Sequence, residues 1–361
     1  MQSPLKVLDT PLKWIAAAGA LLSVVLGLNQ VTRIASENSE RQRHVTELRA
    51  VAEQQQKNAD YPAAWSSLDE AVKAADQGSY FAKLIGRLDS LRSDLRAEQE
   101  DLAMAWLRDV SVPSGSTFSS VVDPLVAVAT RGVVGSTGPR KADLLAHVGW
   151  GYFLKSRDGT ASGSLEETYR QALEIDPANP FAHAQWGHWV LWRRGSFPEA
   201  SRHFAAAVAS GRERPHVRRL QLAAMRLYGS LDTERGLLEA VNDMRKNDEA
   251  VDPATRRAVF NLYYSAFNSD EAIQRVVSLV PPAEHIATIR ALFFDDQFDQ
   301  ARAPLRDAVI ALLQEAAAMP EDALASWRAV QGAVANGGDG RVATRASAAI
   351  ARLSQRARRV G

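Results

Sequence analysis

Residues 169–180 read YRQALEIDPANP, and this run decides the fold. Tyr169, Ala172 and Leu173 recur at helical spacing on one face, Asp176-Pro177 ends that helix, and Asn179-Pro180 starts the next. Upstream, DLLAHVGWGYFLKS (143–156) repeats the helical rhythm through Val148, Gly149 and Tyr152. SRDGTASGS (156–164), rich in turn formers, predicts a surface loop between the two helices. Downstream, residues 180–211 predict a second hairpin, with Trp186 and Gly187 in its first helix, Gly195 and Phe197 at its turn, and Ala200, Phe204 and Ala207 in its second. Gly187 and Ala200 are small where two helices cross most closely, and Phe204 fills the space toward the next hairpin.

Laid end to end, the two hairpins resemble the tetratricopeptide-repeat (TPR) family, whose unit is a helical hairpin of about 34 residues. Trp186-Gly187 stands at the family's Leu-Gly pair, and Ala200, Phe204 and Ala207 at its Ala, aromatic and Ala positions, with one residue inserted between the halves. The resemblance is specific from Asp143 to Gly211 and implies an all-α fold, an α-solenoid of helical hairpins. It also implies that first helices line a concave groove, at positions one, four and five after the small Gly. That places Trp150, Phe153 and Leu154 from one hairpin and His188, Leu191 and Trp192 from the next along one aromatic surface, with Arg193 and Arg194 at its rim to hold a carboxylate. The competing reading is that these tryptophans pack between helices.

The remaining chain follows by rhythm. Residues 32–110 predict a polar stalk helix, with Val45, Leu48, Val51 and Ala52 as its stripe, and a degenerate hairpin after the turn at Asp60-Tyr61. A connecting region at 111–141 contains a helix near Thr117–Thr130 between the turn-like VPSGSTF and GVVGSTGP. The two matching hairpins occupy 142–213, and degenerate ones fill 214–335, with breaks at Gly229, Asp252-Pro253, Pro281-Pro282 and Met319-Pro320. Phe298, Ala301 and Leu305 hint at a further repeat that Pro304 should interrupt, and Glu321–Val330 begins a helix carrying Trp327. Residues 336–361 form a basic helix or tail whose arginines, Arg341, Arg345, Arg352, Arg356, Arg358 and Arg359, alternate with no acid.

Ahead of all this, after a short tail at 1–11, residues 12–31 read LKWIAAAGALLSVVLGLNQV, uncharged from Trp14 to Leu28. The length suffices for a bilayer, Lys13 can snorkel, and no small-residue cleavage site follows, so the run predicts an uncleaved single-pass anchor in the inner membrane. Gly19, Ser23 and Gly27 share a helix face that would let two copies approach and dimerise, although small residues are common in membrane helices generally. Lys6 and Lys13 balance Arg33, Arg41 and Arg43, so flanking charge does not orient the span. A short N-terminal tail favours a periplasmic soluble part, whereas the basic C-terminus suits an anionic cytoplasmic leaflet.

Across 361 residues, 46% hydrophobic composition supports a sizeable core, while 43 Lys and Arg against 42 Asp and Glu give no global field for nucleic acid. Ala and Arg richness fits a GC-rich bacterial genome. The absence of Cys removes thiolate chemistry. GVVGSTGPRK (132–141) lacks the Gly-Lys-Ser/Thr ending of a phosphate loop. His183 and His188 are too far round a helix to share a metal, His183 being expected packed and His188 exposed or groove-lining. Ser114, Ser116, Ser119 and Ser120 read as turn and cap residues, and the pairs Glu166-Glu167 and Asp295-Asp296 as solvated helix ends. No nucleophile, base and oxyanion donor converge, so no catalysis and no cofactor are expected. The expected function is capture of a peptide or protein partner at a membrane, the alternative being an envelope protein that self-assembles through its membrane helix.

Overall fold

The computed structural model describes residues 5–77, 88–160, 164–335 and 339–360, with side chains starting at Leu26 in the first helix and Ser90 in the third and ending at Arg358. Every regular element among them is helical, and the chain divides into two compact units, residues 1–177 and 178–361.

The first unit contains α1 (Leu5–Lys57), α2 (Tyr61–Asp76), α3 (Leu88–Arg108), α4 (Phe118–Gly135), α5 (Gly138–Ser156) and α6 (Leu165–Ile175), each packed mainly on its neighbours in sequence. Short connections make such neighbours antiparallel. α1 runs unbroken through 12–31 into the stalk. Gly19 and Ser23 lie outside the described side chains; Leu26, Gly27, Leu28 and Val31 are exposed, and a Cβ on Gly27 would meet nothing within 4 Å. Further along, Val45 and Ala52 join Ala64, Leu68, Ala71, Ala75, Leu95 and Leu102 in one core, which fixes the α1–α2–α3 packing. Leu48 packs at its edge, and Val51 faces solvent.

α4 departs from the sequence expectation. The Gly-rich run after Arg131 predicts a turn, yet the helix continues to Gly135 because Gly132 is where α3 comes closest: a Cβ there would stand 2.6 Å from the Glu100 carboxyl carbon. Among the residues whose side chains are described, α4 is also the one helix with the length and mean hydropathy, 1.3, of a membrane span. It is built as a core helix. Val122, Leu125, Val126 and Ala129 are buried, Arg131 Nη2 donates to Gln99 Oε1 at 3.0 Å, and Asp123 pairs with Lys155.

The loop after α5 ties back to this helix. Asp158 accepts from Ser119 N at 2.7 Å and Ser119 Oγ at 3.0 Å, alongside the Thr117 cap on Ser120 N. These donors, the Ser119 backbone N–H first, hold the Asp158 carboxyl below its ordinary range. Gly149 lies where α6 packs on α5: a Cβ would sit 2.8 Å from Tyr169, whose ring is fully buried.

The second unit contains α7 (Pro180–Arg194), α8 (Phe197–Ala209), α9 (Arg214–Arg226), α10 (Leu231–Lys246), α11 (Pro253–Ala266), α12 (Asp270–Val277), α13 (Pro282–Phe293), α14 (Ala303–Ala316), α15 (Pro320–Val334) and α16 (Gly340–Val360). Prolines open most of these helices in the first turn, where a missing N–H costs nothing, and Asn179, Asp252 and Ser269 cap theirs with side-chain oxygens. Pro304 follows the same rule: it starts α14 after a 3₁₀ turn at Gln300–Arg302 and interrupts nothing. The close crossing expected at Gly187 is present, with its Cβ position 3.1 Å from the Ala200 carbonyl oxygen and 3.4 Å from the Phe204 ring. Gly195 ends α7 in the left-handed conformation at φ 64°.

α14 is the centre of the C-terminal half, packing on α11, α12, α13 and α15 and touching α16. The basic end of the chain is a helix, α16, seated through Val342, Ala346, Ala349 and Leu353, spaced four, three and four residues apart on one buried stripe.

Candidate functional site: a basic cleft beside the last helix

Five of the eight residues assigned to a concave groove are buried. Trp150 is 6% exposed, stacks on Phe153 at 4.8 Å between ring centroids and donates from Nε1 to the Leu107 carbonyl at 3.0 Å. Phe153 and Leu154 are buried with it. In the second unit Leu191 is buried, and His188, expected at the surface, is buried with Nδ1 3.3 Å from the Leu220 carbonyl oxygen. For Trp150 and His188 the physical reason is the same: an aromatic or imidazole ring that can reach a backbone carbonyl on the adjacent helix gains apolar burial and satisfies its N–H together. Trp192, at 43% exposure, and Arg193 and Arg194 remain at the surface. Arg194 lies 4.9 Å over the Trp189 ring and pairs with Glu199 at 3.2 Å.

His183 is half-buried, with its Nδ1 3.0 Å from Nδ1 of His203 and one imidazole donating to the other. Burial first, and then the neighbouring His183, pushes His203 down to about 4, so the His203 ring is neutral near pH 7. No group of three or more His, Asp or Glu able to share a metal ion occurs among the described residues. Asp295 is engaged by both terminal nitrogens of Arg256 at 2.7 Å, and Glu167 by Arg170 and Gln171.

A concavity with converging charge lies elsewhere. A cleft of about 710 Å³ opens between α16, the α11–α12 junction, α14 and α15. Its base is apolar, from Phe267, Leu312 and Trp327, all buried. Arg341, Arg345 and Arg352 from α16 line one side. At 100° per residue these three fall within roughly 40° of one another, a single row beside the packed stripe. Gly340, Thr344 and Ala348, four residues apart, make a second row of small side chains next to it.

Each arginine is positioned by identifiable partners. Arg345 Nη1 donates to the Phe267 carbonyl at 2.7 Å and Nη2 to Asp270 at 2.6 Å, its guanidinium 5.3 Å over the Phe267 ring. Arg341 Nη2 bonds Asp339 at 3.1 Å and the Tyr264 hydroxyl at 3.2 Å. The Asp339 hydrogen bond is the main reason that Arg341 holds its proton above the usual range and Asp339 loses its own below it. Arg352 pairs with Glu315, which also accepts from Trp327 Nε1 at 2.7 Å. Asp270 is 91% exposed and Glu315 only 17%, so one of these acids is a loosely held surface partner and the other a fixed part of the wall.

Sequence reading noted the C-terminal arginines and Trp327 but not their meeting. The available signal was the offset between two rows on α16, the stripe Val342–Ala346–Ala349–Leu353 and the arginines one residue ahead at 341, 345 and 352. No family model matches the chain, and no curated protein matches it.

Proposed function

We propose that this protein is a membrane-anchored interaction scaffold of TPR-like helical hairpins, whose partner site is the cleft along α16 rather than the aromatic first-helix groove. The observation that carries the reading is the cleft itself: a concave surface with an apolar base, a small-residue row that lets a backbone approach, and a row of guanidinium groups. A solenoid architecture is supported by helices that pack mainly on their chain neighbours and by the close crossings at Gly149 and Gly187. The anchor is supported by the uncharged run Trp14–Leu28 inside an unbroken helix and by the exposed Leu26, Leu28 and Val31 at its end. The open face at Gly27 also favours pairing of two anchors.

Two measurements test this. The full chain should float with phospholipid vesicles, and a chain with Leu21, Val24 and Leu28 replaced by Asp should not. A random-peptide selection on the detergent-solubilised full chain should yield binders that are lost when Ala348→Trp fills the cleft. Binders indifferent to that substitution would remove the cleft from the reading.

A further inference from the structure

A cavity of about 430 Å³ in the first unit opens where the turn between α1 and α2 meets the end of α3 and the start of α4. Its walls include Tyr61 and Pro62 from the start of α2, Trp106 from the last turn of α3, Pro113 from the following loop and Val121 from α4. Asp109, just past the end of α3, is the one charged side chain among the described residues that line it. Two aromatic rings, a mostly apolar remainder and a single carboxylate therefore share one concavity. Ala59 turns the backbone at φ 58°, Asp60 caps α2 through the Ala63 N–H at 3.3 Å, and Pro62 sits in the first turn. The Tyr61 hydroxyl donates to Asp109 Oδ2 at 3.1 Å, which ties the start of α2 to the end of α3. Trp106 rests against Trp65, 6.1 Å between ring centroids, and Trp65 packs on the α1–α2–α3 core. Tyr61 and Trp106 are half-buried, so neither ring is sealed off as Trp150 is.

The electrostatics favour a cation. Asp109 and the carbonyl end of the α3 dipole bring negative charge together, and aromatic rings add the negative potential of their faces. The amide end of α2 already has Asp60 as its cap. Arg108, the nearest cation in sequence, does not line the cavity; it lies close enough to His147 to disfavour protonation of that ring. Hydrogen bonding narrows the kind of cation. Among the lining side chains only Asp109, Tyr61 and Ser111 carry an oxygen, and the first two are bonded to each other. A primary ammonium is strongly hydrated and brings three N–H donors, so it would lose water bonds that these walls replace poorly. A quaternary ammonium has no N–H to satisfy, and its methyl groups suit apolar walls and aromatic rings.

We infer that this cavity binds a trimethylammonium group, as carried by choline and its esters, with Trp106 and Tyr61 against the methyl groups and Asp109 supplying the counter-charge. Attraction to Asp109 is coulombic and needs no vacant acceptor, so the Tyr61 hydrogen bond stays in place and holds the carboxylate beside the ligand. The site is separate from the α16 cleft and stands independently of the scaffold reading.

The test is a saturation-transfer NMR titration of the full chain in a maltoside detergent with choline, with its neutral analogue in which carbon replaces nitrogen, and with glycerophosphocholine. Choline should bind at least about fivefold more tightly than the neutral analogue, as expected of one partly buried cation–π contact. Trp106→Ala should abolish that preference and Trp106→Phe should keep it. Asp109→Asn, which still accepts from Tyr61, should weaken choline about two- to fivefold and leave the neutral analogue unchanged. Circular-dichroism melts control for folding, and the comparison of ligands on the unaltered chain decides the matter even if Trp106→Ala misfolds. Glycerophosphocholine binding at least as tightly as choline would identify a lipid headgroup as the source, and weaker binding the free solute; either supports the site. Equal binding of choline and the neutral analogue overturns the assignment, and so does binding of neither. A proline-rich peptide that displaces choline, binds more tightly and is lost with Trp106→Ala would overturn it too, by making the cavity a peptide groove.

Discussion

Acidification from pH 7 to pH 5 should destabilise this protein through two buried histidines, one in each unit. His147 and His285 are fully buried, His147 Nδ1 lying 2.7 Å from the Asp143 carbonyl oxygen and His285 Nδ1 3.0 Å from the Tyr263 hydroxyl. Burial, which penalises the charged imidazolium, pushes His147 down to about 3 and His285 down to about 4. Both folded values lie below the unfolded value of about 6.5, so the unfolded chain binds the extra proton. The stabilising contribution is therefore complete above about pH 6.5 and is lost as pH falls toward the folded values. At pH 5 an unfolded imidazole is about 1.5 units below its pKa and a folded one is still neutral. The loss is then about 2 kcal/mol for each histidine, at about 1.36 kcal/mol per unit.

Carboxylates do not confuse this interval. Asp252 has a lowered folded value, so its contribution disappears only as pH drops below about 4. Denaturant titrations at pH 7, 6 and 5, followed by circular dichroism, should show a loss of about 2 kcal/mol for the first unit and at least about 2 kcal/mol for the second, where the lowered His203 adds to His285, if the units unfold separately, and at least about 4 kcal/mol if together. His147→Gln should remove the share of the slope belonging to the first unit, whatever it does at pH 7. A change below about 1 kcal/mol per transition, or a His147 resonance titrating near pH 6.5, would refute the reasoning.

Other substitutions separate packing from surface. Trp150→Ala should cost about 3–5 kcal/mol, because it empties a buried site and orphans the Leu107 carbonyl, whereas Trp192→Ala should cost less than about 1 kcal/mol; comparable melting shifts would contradict the burial described. Gly187→Val should cost about 1–3 kcal/mol, since its nearest neighbour is the Ala200 backbone oxygen. Gly135→Ala, with nothing within 4 Å, should be neutral or stabilising in the same denaturant assay. Asp158→Ala should lower the melting temperature and speed hydrogen exchange at the Ser119 amide, and unchanged exchange would dissociate the loop from the start of α4.

Helix boundaries were readable because the residues that set them act locally. A proline in the first turn or an Asx side chain capping two amides works within four residues, so the breaks before Pro253, Pro282 and Pro320 stand in the sequence as in the fold. Small residues at crossings were readable for the same reason, since Gly187 and Ala200 belong to one hairpin. What depends on a third helix was not. Gly132 looks like a turn until α3 lies against it, and Trp150 looks like a groove residue until the end of α3 offers its carbonyl.

The last helix shows the same division within one element. Val342, Ala346, Ala349 and Leu353 announce a packed stripe by spacing alone, but a row of arginines looks equally at home in open solvent. Tertiary structure makes the difference, by bringing the end of α11 and the wall of α14 opposite that row. Phe267 supplies a carbonyl and a ring to Arg345, and Glu315 is fixed by Trp327 before it meets Arg352. A solvated cation has no such arranged partners. Guanidinium groups held in register by Asp339, Asp270 and Glu315 have lost part of the rotamer entropy that the same arginines would keep on a disordered basic tail.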